Sequence, residues 1–350
     1  MRNQIKFSRR EALRLAALGV MGAFITACQR AVEPIASVLT PTPAPTKILR
    51  SASDLDSIPI TSNKDFYVTS ISSAPAVPQD WKLTVTGLVA KPLALSLVDL
   101  RALPTVTEMR TLSCISNPIG GDLISNAVWK GVRLQDVLTQ AGVQTTAHFL
   151  KLESLDGWST GIPLELGMHD HSLLVYEMNG EALPPDHGAP LRCLFPGRFG
   201  MKQPKWIRTI TLVEKEYAGF WEKQGWSGDA FVLPFSRINS PIDLEVINGA
   251  TFTMSGIANA GASGLAKLEI GWDDLNQWET ADLTRGPNPY VWCVWKWSGK
   301  SLSPGRHTLY ARATDGNGKM QTRGIGFSLF GETFPDGTDQ MHSVVLEFKG

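Results

Sequence analysis

The chain has 350 residues, with 33 basic against 33 acidic side chains and a formal net charge of zero. That length suggests roughly two domains with a full hydrophobic core, a hydrophobic content of 43% excludes a disordered chain, and the charge balance argues against a nucleic-acid partner. Four cysteines are too few for a disulfide scaffold, and 32 Gly, 22 Pro and 11 Trp point to turns and strands rather than a helical bundle.

Residues 1–28 read as an address rather than as part of a fold. Arg2 and Lys6 lead to Ser8-Arg9-Arg10 and then to an apolar run, Leu15 to Ile25, that is too short to span a bilayer. The paired arginines resemble a twin-arginine export signal, and Ile25-Thr26-Ala27-Cys28 resembles a lipobox whose cysteine would carry lipid. Together they predict an exported lipoprotein held to the extracytoplasmic face of a membrane in the cell envelope. The twin-arginine route carries folded proteins, so it also raises the expectation of a bound redox cofactor. Residues 29–57, with Thr40-Pro41-Thr42-Pro43-Ala44-Pro45-Thr46, read as an extended linker.

Residues 58–235 mix helix and strand signals, an α+β texture. Ser96-Leu97-Val98-Asp99 is a capping box before a short helix that Pro104 closes. Leu134, Val137, Leu138 and Ala141 share a helical face that stops at Gly142. Leu83–Thr86, Val106–Leu112, Leu173–Met178 and Lys205–Val213 read as strands, and Asn179-Gly180 as a type I′ turn. In residues 236–350 helical periodicity disappears. Apolar residues alternate through Ala266–Trp272 and His307–Ala313, with turns at Asp315-Gly316 and Asn317-Gly318, which predicts an all-β sandwich of immunoglobulin type.

The chemistry converges on Cys114. It follows a strand and opens the loop Cys114-Ile115-Ser116-Asn117-Pro118-Ile119-Gly120-Gly121-Asp122, where proline and paired glycines let backbone approach a ligand. Cys193 and Cys293 lie in apolar runs and read as core, although a disulfide among the remaining cysteines stays open. A second cluster, His187 to Arg192 and Pro196 to Trp206, sets one His, two Arg and two Lys among glycines and prolines. Arginine grips phosphate with two donors and lysine as a point charge, so the cluster suits a phosphorylated cofactor. It matches neither a Walker loop nor GxGxxG.

These stretches, with Asp156-Gly157-Trp158, Ile162-Pro163-Leu164, Tyr176–Gly180 and Asp186-His187-Gly188, resemble in order and spacing the sulfite oxidase superfamily of molybdenum enzymes. The resemblance covers about Pro59 to Phe235, with the C-terminal part resembling that family's immunoglobulin-like dimerisation domain. It implies a molybdenum centre held by a pterin dithiolene, with Cys114 as the thiolate ligand and catalytic residue. It also implies cofactor binding by Asn63, Phe66, Tyr67, Ser154, His187, Arg192, Gln203, Pro204 and Lys205.

The departures from the family matter too. Two arginines that grip sulfite fall here within Val68-Thr69-Ser70-Ile71 and at Ile119, and an active-site tyrosine falls at Trp226. Binding a dianion without charge partners is costly, so sulfite and nitrate are not the expected substrates. The expectation is two-electron oxygen-atom transfer on another small molecule. No haem-attachment or iron–sulfur motif occurs, so electrons would pass to a separate partner, a c-type cytochrome or a quinone-linked membrane protein. The resemblance also suggests a homodimer. His169-Asp170-His171 reads as a solvated loop, and Asp122 and Asp156 as turn residues. Two rival readings are a non-catalytic surface lipoprotein using its β domain for assembly or adhesion, and a hydrolase with Cys114 as nucleophile and His187 as base.

Overall fold

The computed structural model describes residues 57–324 and 331–349. The expected export signal, and the linker as far as residue 56, lie outside the described residues.

In chain order the first part contains β1 (Leu83–Gly87), β2 (Leu93–Leu95), α1 (Leu97–Arg101), β3 (Thr105–Ser113), β4 (Ile124–Arg133), α2 (Leu134–Ala141), β5 (Phe149–Ser154) and β6 (Ser159–Pro163). It continues with α3 (Leu164–Gly167), β7 (Leu173–Met178), β8 (Glu181–Ala182), β9 (Arg192–Leu194) and β10 (Ile207–Val213). Two sheets form, one ordered β2-β1-β10-β5-β6 and the other β3-β4-β7-β8 with β9 paired to β7. A common core joins them: Leu83, Leu150 and Ile210 from the first, Leu174 from the second, and Leu134 and Leu138 from α2. Burying each such side chain contributes roughly 1.5–3 kcal/mol.

The local signals act as read. Ser96 Oγ accepts from Asp99 N at 3.2 Å and the Asp99 carboxylate accepts from Ser96 N at 2.8 Å, completing the capping box. Helix α2 buries Leu134, Val137, Leu138 and Ala141 and ends on Gly142 at φ 68°. Asn179 and Gly180, at φ 54° and 81°, turn β7 into β8. The helices are short, so this part is mostly β, less evenly mixed than the α+β reading implied.

The second part contains β11 (Phe235–Ser240), β12 (Val246–Ile247), β13 (Thr251–Asn259), β14 (Leu265–Trp272), β15 (Trp278–Thr280), β16 (Asp282–Thr284), β17 (Cys293–Lys300), β18 (Gly305–Asp315) and β19 (His342–Phe348). Its sheets run β11-β13-β17-β16 and β12-β19-β18-β14-β15. They share a core that includes Trp295 and Met254 on one side and Leu268, Leu309 and Leu346 on the other. The described cysteines Cys114, Cys193 and Cys293 are all free and buried.

The two parts meet along β3. Thr111 N donates to Tyr290 O at 3.0 Å, Trp292 N donates to Thr111 Oγ1 at 2.9 Å, and Asn288 Nδ2 donates to Met109 O at 3.0 Å. Strand β3 is thereby fixed from both sides, and it delivers Cys114 to the seam.

Candidate active site

Cys114 follows the last residue of β3. Its N–H donates to Leu123 O at 2.9 Å, closing the base of the loop. Inside, Asn117 N donates to Cys114 O at 3.1 Å and Asn117 Oδ1 accepts from Leu123 N at 2.9 Å. Cys114 is 8% exposed, and its Sγ lies 3.1 Å from Ser116 Oγ. Gly200 approaches from the opposite loop so closely that a Cβ there would lie 3.0 Å from the Tyr67 hydroxyl and 3.4 Å from Ser113 O.

Tyr67 connects the thiol to the cationic cluster. Burial raises its pKa most, the charge at Cys114 adds to this and Arg192 opposes it, so the phenol keeps its proton. Phe66 stacks on Tyr67 at 5.5 Å and meets His187 edge-on at 5.3 Å. His187 Nε2–H donates to Asn63 O at 2.7 Å, and burial lowers its pKa, which favours the neutral ring. Asn63 is itself set by the turn, its Oδ1 accepting from Asn179 Nδ2 at 2.8 Å. Cys114 and His187 thus each bond elsewhere, Sγ to Ser116 and Nε2 to a carbonyl, which gives the nucleophile–base reading no support.

Arg192 on β9 is 5% exposed and donates to His187 O at 3.0 Å and Gln203 O at 3.4 Å. Its Nε is buried without a partner, and no carboxylate acts on it. Burial pulls its pKa down to about 10. Lys205 Nζ donates to Asp186 O at 3.0 Å and lies 4.4 Å from the Trp206 ring centroid. Burial first, then Arg192, lowers its pKa to about 7 against the opposing pull of Asp156 and Asp186. The turn at Gly188 joins the two cations, since a Cβ there would lie 3.0 Å from Arg192 Cβ and 3.1 Å from Lys205 Cα. Ser154 Oγ is also buried without a partner. It belongs to the strand end whose next residue, Leu155, donates to Trp206 O at 3.0 Å.

An orphaned guanidinium nitrogen, an orphaned hydroxyl and a lysine without a bonded carboxylate are groups that an anionic, phosphate-bearing ligand would satisfy. The donors therefore fit a phosphorylated pterin beside a thiol able to bind a soft metal. Gln203 and Pro204, expected among the cofactor-binding residues, act as braces. The Gln203 amide bonds Phe195 N at 2.6 Å, Phe195 O at 2.8 Å and Arg198 O at 2.9 Å, while Pro204 O accepts from Cys193 N at 2.9 Å. His171 Nδ1 pairs with Glu108 Oε2 at 2.8 Å, and no metal-binding cluster of His, Cys, Asp and Glu exists among the described residues.

Sequence reasoning missed what reaches the cysteine loop from the C-terminal part. The His342 ring lies against Gly120, where a Cβ would come within 2.2 Å of it. Arg237 Nη1 donates to Gly121 O at 3.1 Å, and Ile119 N donates to Glu332 Oε1 at 2.8 Å. Beyond Glu332 the chain crosses the site as a strap. Phe334 meets Trp226 at 5.1 Å, Pro335 O accepts from Ser227 N at 3.1 Å, and Gly337 packs on the Phe199 ring. Ile115, Phe199 and Met201 form an apolar cluster against Trp221, Trp226 and Val232. The one local signal was the Gly331-Glu332-Thr333-Phe334-Pro335-Asp336-Gly337 run, whose glycines and proline mark a loop.

A family model described as oxidoreductase molybdopterin binding domain matches residues 71–221. An uncharacterized oxidoreductase, YuiH of Bacillus subtilis, is 39% identical over 146 residues, covering 42% of this chain and 72% of that protein. Sulfite oxidase of Arabidopsis thaliana is 29% identical over 273 residues, covering 63% and 70%. Human mitochondrial sulfite oxidase is 30% identical over 286 residues, 68% of this chain but 52% of the human one. Among solved structures, the sulfane dehydrogenase SoxCD of Paracoccus pantotrophus superposes with a TM-score of 0.67 at 24% identity, over 75% of each chain, a likeness of fold. The chain belongs to the sulfite oxidase superfamily of molybdopterin-binding oxidoreductases.

Proposed function

We propose that this molybdenum-dependent oxidoreductase carries out two-electron oxygen-atom transfer on a small molecule other than sulfite. The observation that carries the site assignment is buried Arg192 beside half-buried Lys205, two cations with no carboxylate bonded to either, with Arg192 and Cys114 both acting on the buried Tyr67 phenol. Cys114 Sγ would ligate the metal as thiolate. Arg192 and Lys205 would hold the pterin phosphate, Ser154 Oγ would add a hydrogen bond, and Phe66, Tyr67 and neutral His187 would wall the pterin. When bound, molybdopterin supplies the two-electron chemistry, while the protein fixes the metal and shapes access to it. Tyr67 keeps a phenol proton available as a hydrogen-bond donor, and the Ile115–Phe199–Trp226 cluster keeps water away from the loop. Isoleucine at 119 and tryptophan at 226, in place of an arginine and a tyrosine, support a substrate that is not an oxyanion.

In the same reading the C-terminal sheets are an immunoglobulin-type sandwich suited to dimerisation. The chain is an exported lipoprotein, and its electrons go to a c-type cytochrome or a quinone-linked membrane protein. Membership of an oxidoreductase family weighs against the non-catalytic alternative. The test is metal and pterin analysis of protein made in cofactor-producing cells, with a panel of sulfoxides, N-oxides and sulfite. One molybdenum per chain and turnover of a sulfoxide or N-oxide in preference to sulfite are expected. Folded protein devoid of molybdenum, or sulfite as the preferred substrate, overturns the proposal.

A further inference from the structure

At the rim of the cysteine loop the protein presents a carboxylate. On the cysteine loop the Ile119 N–H is bonded to the Glu332 carboxylate at 2.8 Å. Glu332 is exposed and forms no ion pair among the described residues. Two arginines of this region have carboxylates acting on them. Asp122 acts on Arg237, whose Nε also donates to Asn239 Oδ1 at 2.8 Å, and Asp229 acts on Arg198. Glu332 therefore sets a carboxylate with no ion pair among the described residues on the rim of the cysteine loop, at Ile119, five positions after Cys114.

The strap that carries it is a wall of the same mouth. Two residues on, at most ~7 Å along extended chain, Phe334 packs against half-buried Trp226. Gly337 lies where a Cβ would be 3.6 Å from Ile115 O, and Thr338 lines a cleft with Ser113, Ile115 and Asn117. An anion approaching Cys114 past this wall meets aromatic surface and a carboxylate. A neutral molecule meets no such barrier, and a cationic one is attracted both by Glu332 and by the ring faces.

We propose that Glu332 is the charge-selecting residue of the substrate mouth, turning away anions and admitting neutral or cationic oxygen-atom donors and acceptors. This rests on the proposed oxygen-transfer function and names its substrate class. Glu332→Gln is the informative variant, because the amide oxygen can still accept from Ile119 N while the charge is gone.

Two measurements decide it. In the holoenzyme, the sulfite concentration for half-maximal turnover or half-maximal inhibition should fall roughly three- to tenfold in Glu332→Gln at low salt. The value for dimethyl sulfoxide should stay unchanged, and the difference should collapse at high salt. An equal change for both compounds, or none for sulfite, overturns the proposal. Independently of turnover, the emission assigned to Trp226 by difference from Trp226→Phe is quenched with iodide and with acrylamide. Iodide quenching should rise roughly two- to threefold in Glu332→Gln with acrylamide quenching constant, and a constant iodide response overturns the proposal. If no compound in the panel is turned over, the oxygen-transfer reading fails while the quenching result still decides the role of Glu332.

Discussion

Two lysines three residues apart, Lys202 and Lys205, show how the same segment builds structure at one point and a binding pocket at the next. Lys202 is 3% exposed and fully partnered: its Nζ meets the Glu222 carboxylate, Thr160 Oγ1 at 3.0 Å and Gly161 O at 2.9 Å. Lys205 has one bonded carbonyl and shares its surroundings with Arg192, which has carbonyls and no carboxylate. A buried cation with its own anion needs nothing further. One without an anion is a standing cost unless something anionic is bound. Lys202 thus ties the loop beside Cys114 to β6, whereas Arg192 and Lys205 are the cations that the proposed function gives to the cofactor phosphate.

Removing a charge should therefore have unequal consequences for stability at the two places. Glu222→Gln strands Lys202 and should destabilise the protein by about 3–5 kcal/mol in denaturant unfolding. Arg192→Met removes a charge that lacks a carboxylate, so the apoprotein should unfold within about 1 kcal/mol of the parent. The same variant should lose pterin affinity by about a hundredfold, read as pterin content after dialysis. Equal destabilisation by both variants would erase the distinction.

The contact between the two parts is tested by Gly120→Ala, which drives a methyl into the His342 ring. A loss of about 1–3 kcal/mol is expected, larger than for alanine at Gly157, where a Cβ meets nothing within 4 Å although φ is +85°.

The smallest effect is a pH dependence. Lys205 titrates at about 7 in the apoprotein, against an ordinary 10.5, so sulfate, as a stand-in for phosphate, should bind more weakly as pH rises above about 7. Lys205→Met should flatten that profile. Because the folded pKa lies below the unfolded one, this group makes apoprotein stability rise with pH between those two values, its cost being fully present below about 7. Titration calorimetry with sulfate from pH 6 to 9 reads the binding side of the linkage, and a flat profile in the parent removes Lys205 from the pocket.

Much of this was legible before the structure. Strand β7 runs from Leu173 to Met178 as read, the capping box at Ser96 and Asp99 forms, and the Asn179-Gly180 turn does double duty by orienting Asn63. Those features are written in neighbouring residues. The Cys114 loop and the His187–Lys205 cluster were legible because glycine, proline and cations sit at short spacing. Glu222 opposite Lys202, His342 over Gly120 and Glu332 on Ile119 were not, because each joins residues 20 to more than 200 positions apart. No local period records such pairings. The bracing role of Gln203 was hidden for a related reason: the sequence does not show that its side chain is bonded to Phe195 N, Phe195 O and Arg198 O.

In the proposed function Cys114 holds the metal beside Arg192 and Lys205, whose hydrogen bonds go to carbonyls rather than carboxylates. X-ray absorption at the molybdenum edge of the purified holoprotein and of Cys114→Ser tests it most directly. The variant should keep pterin and molybdenum, lose one sulfur neighbour at the metal and lose oxygen-transfer activity. An unchanged sulfur shell, or a fully active variant, would contradict it.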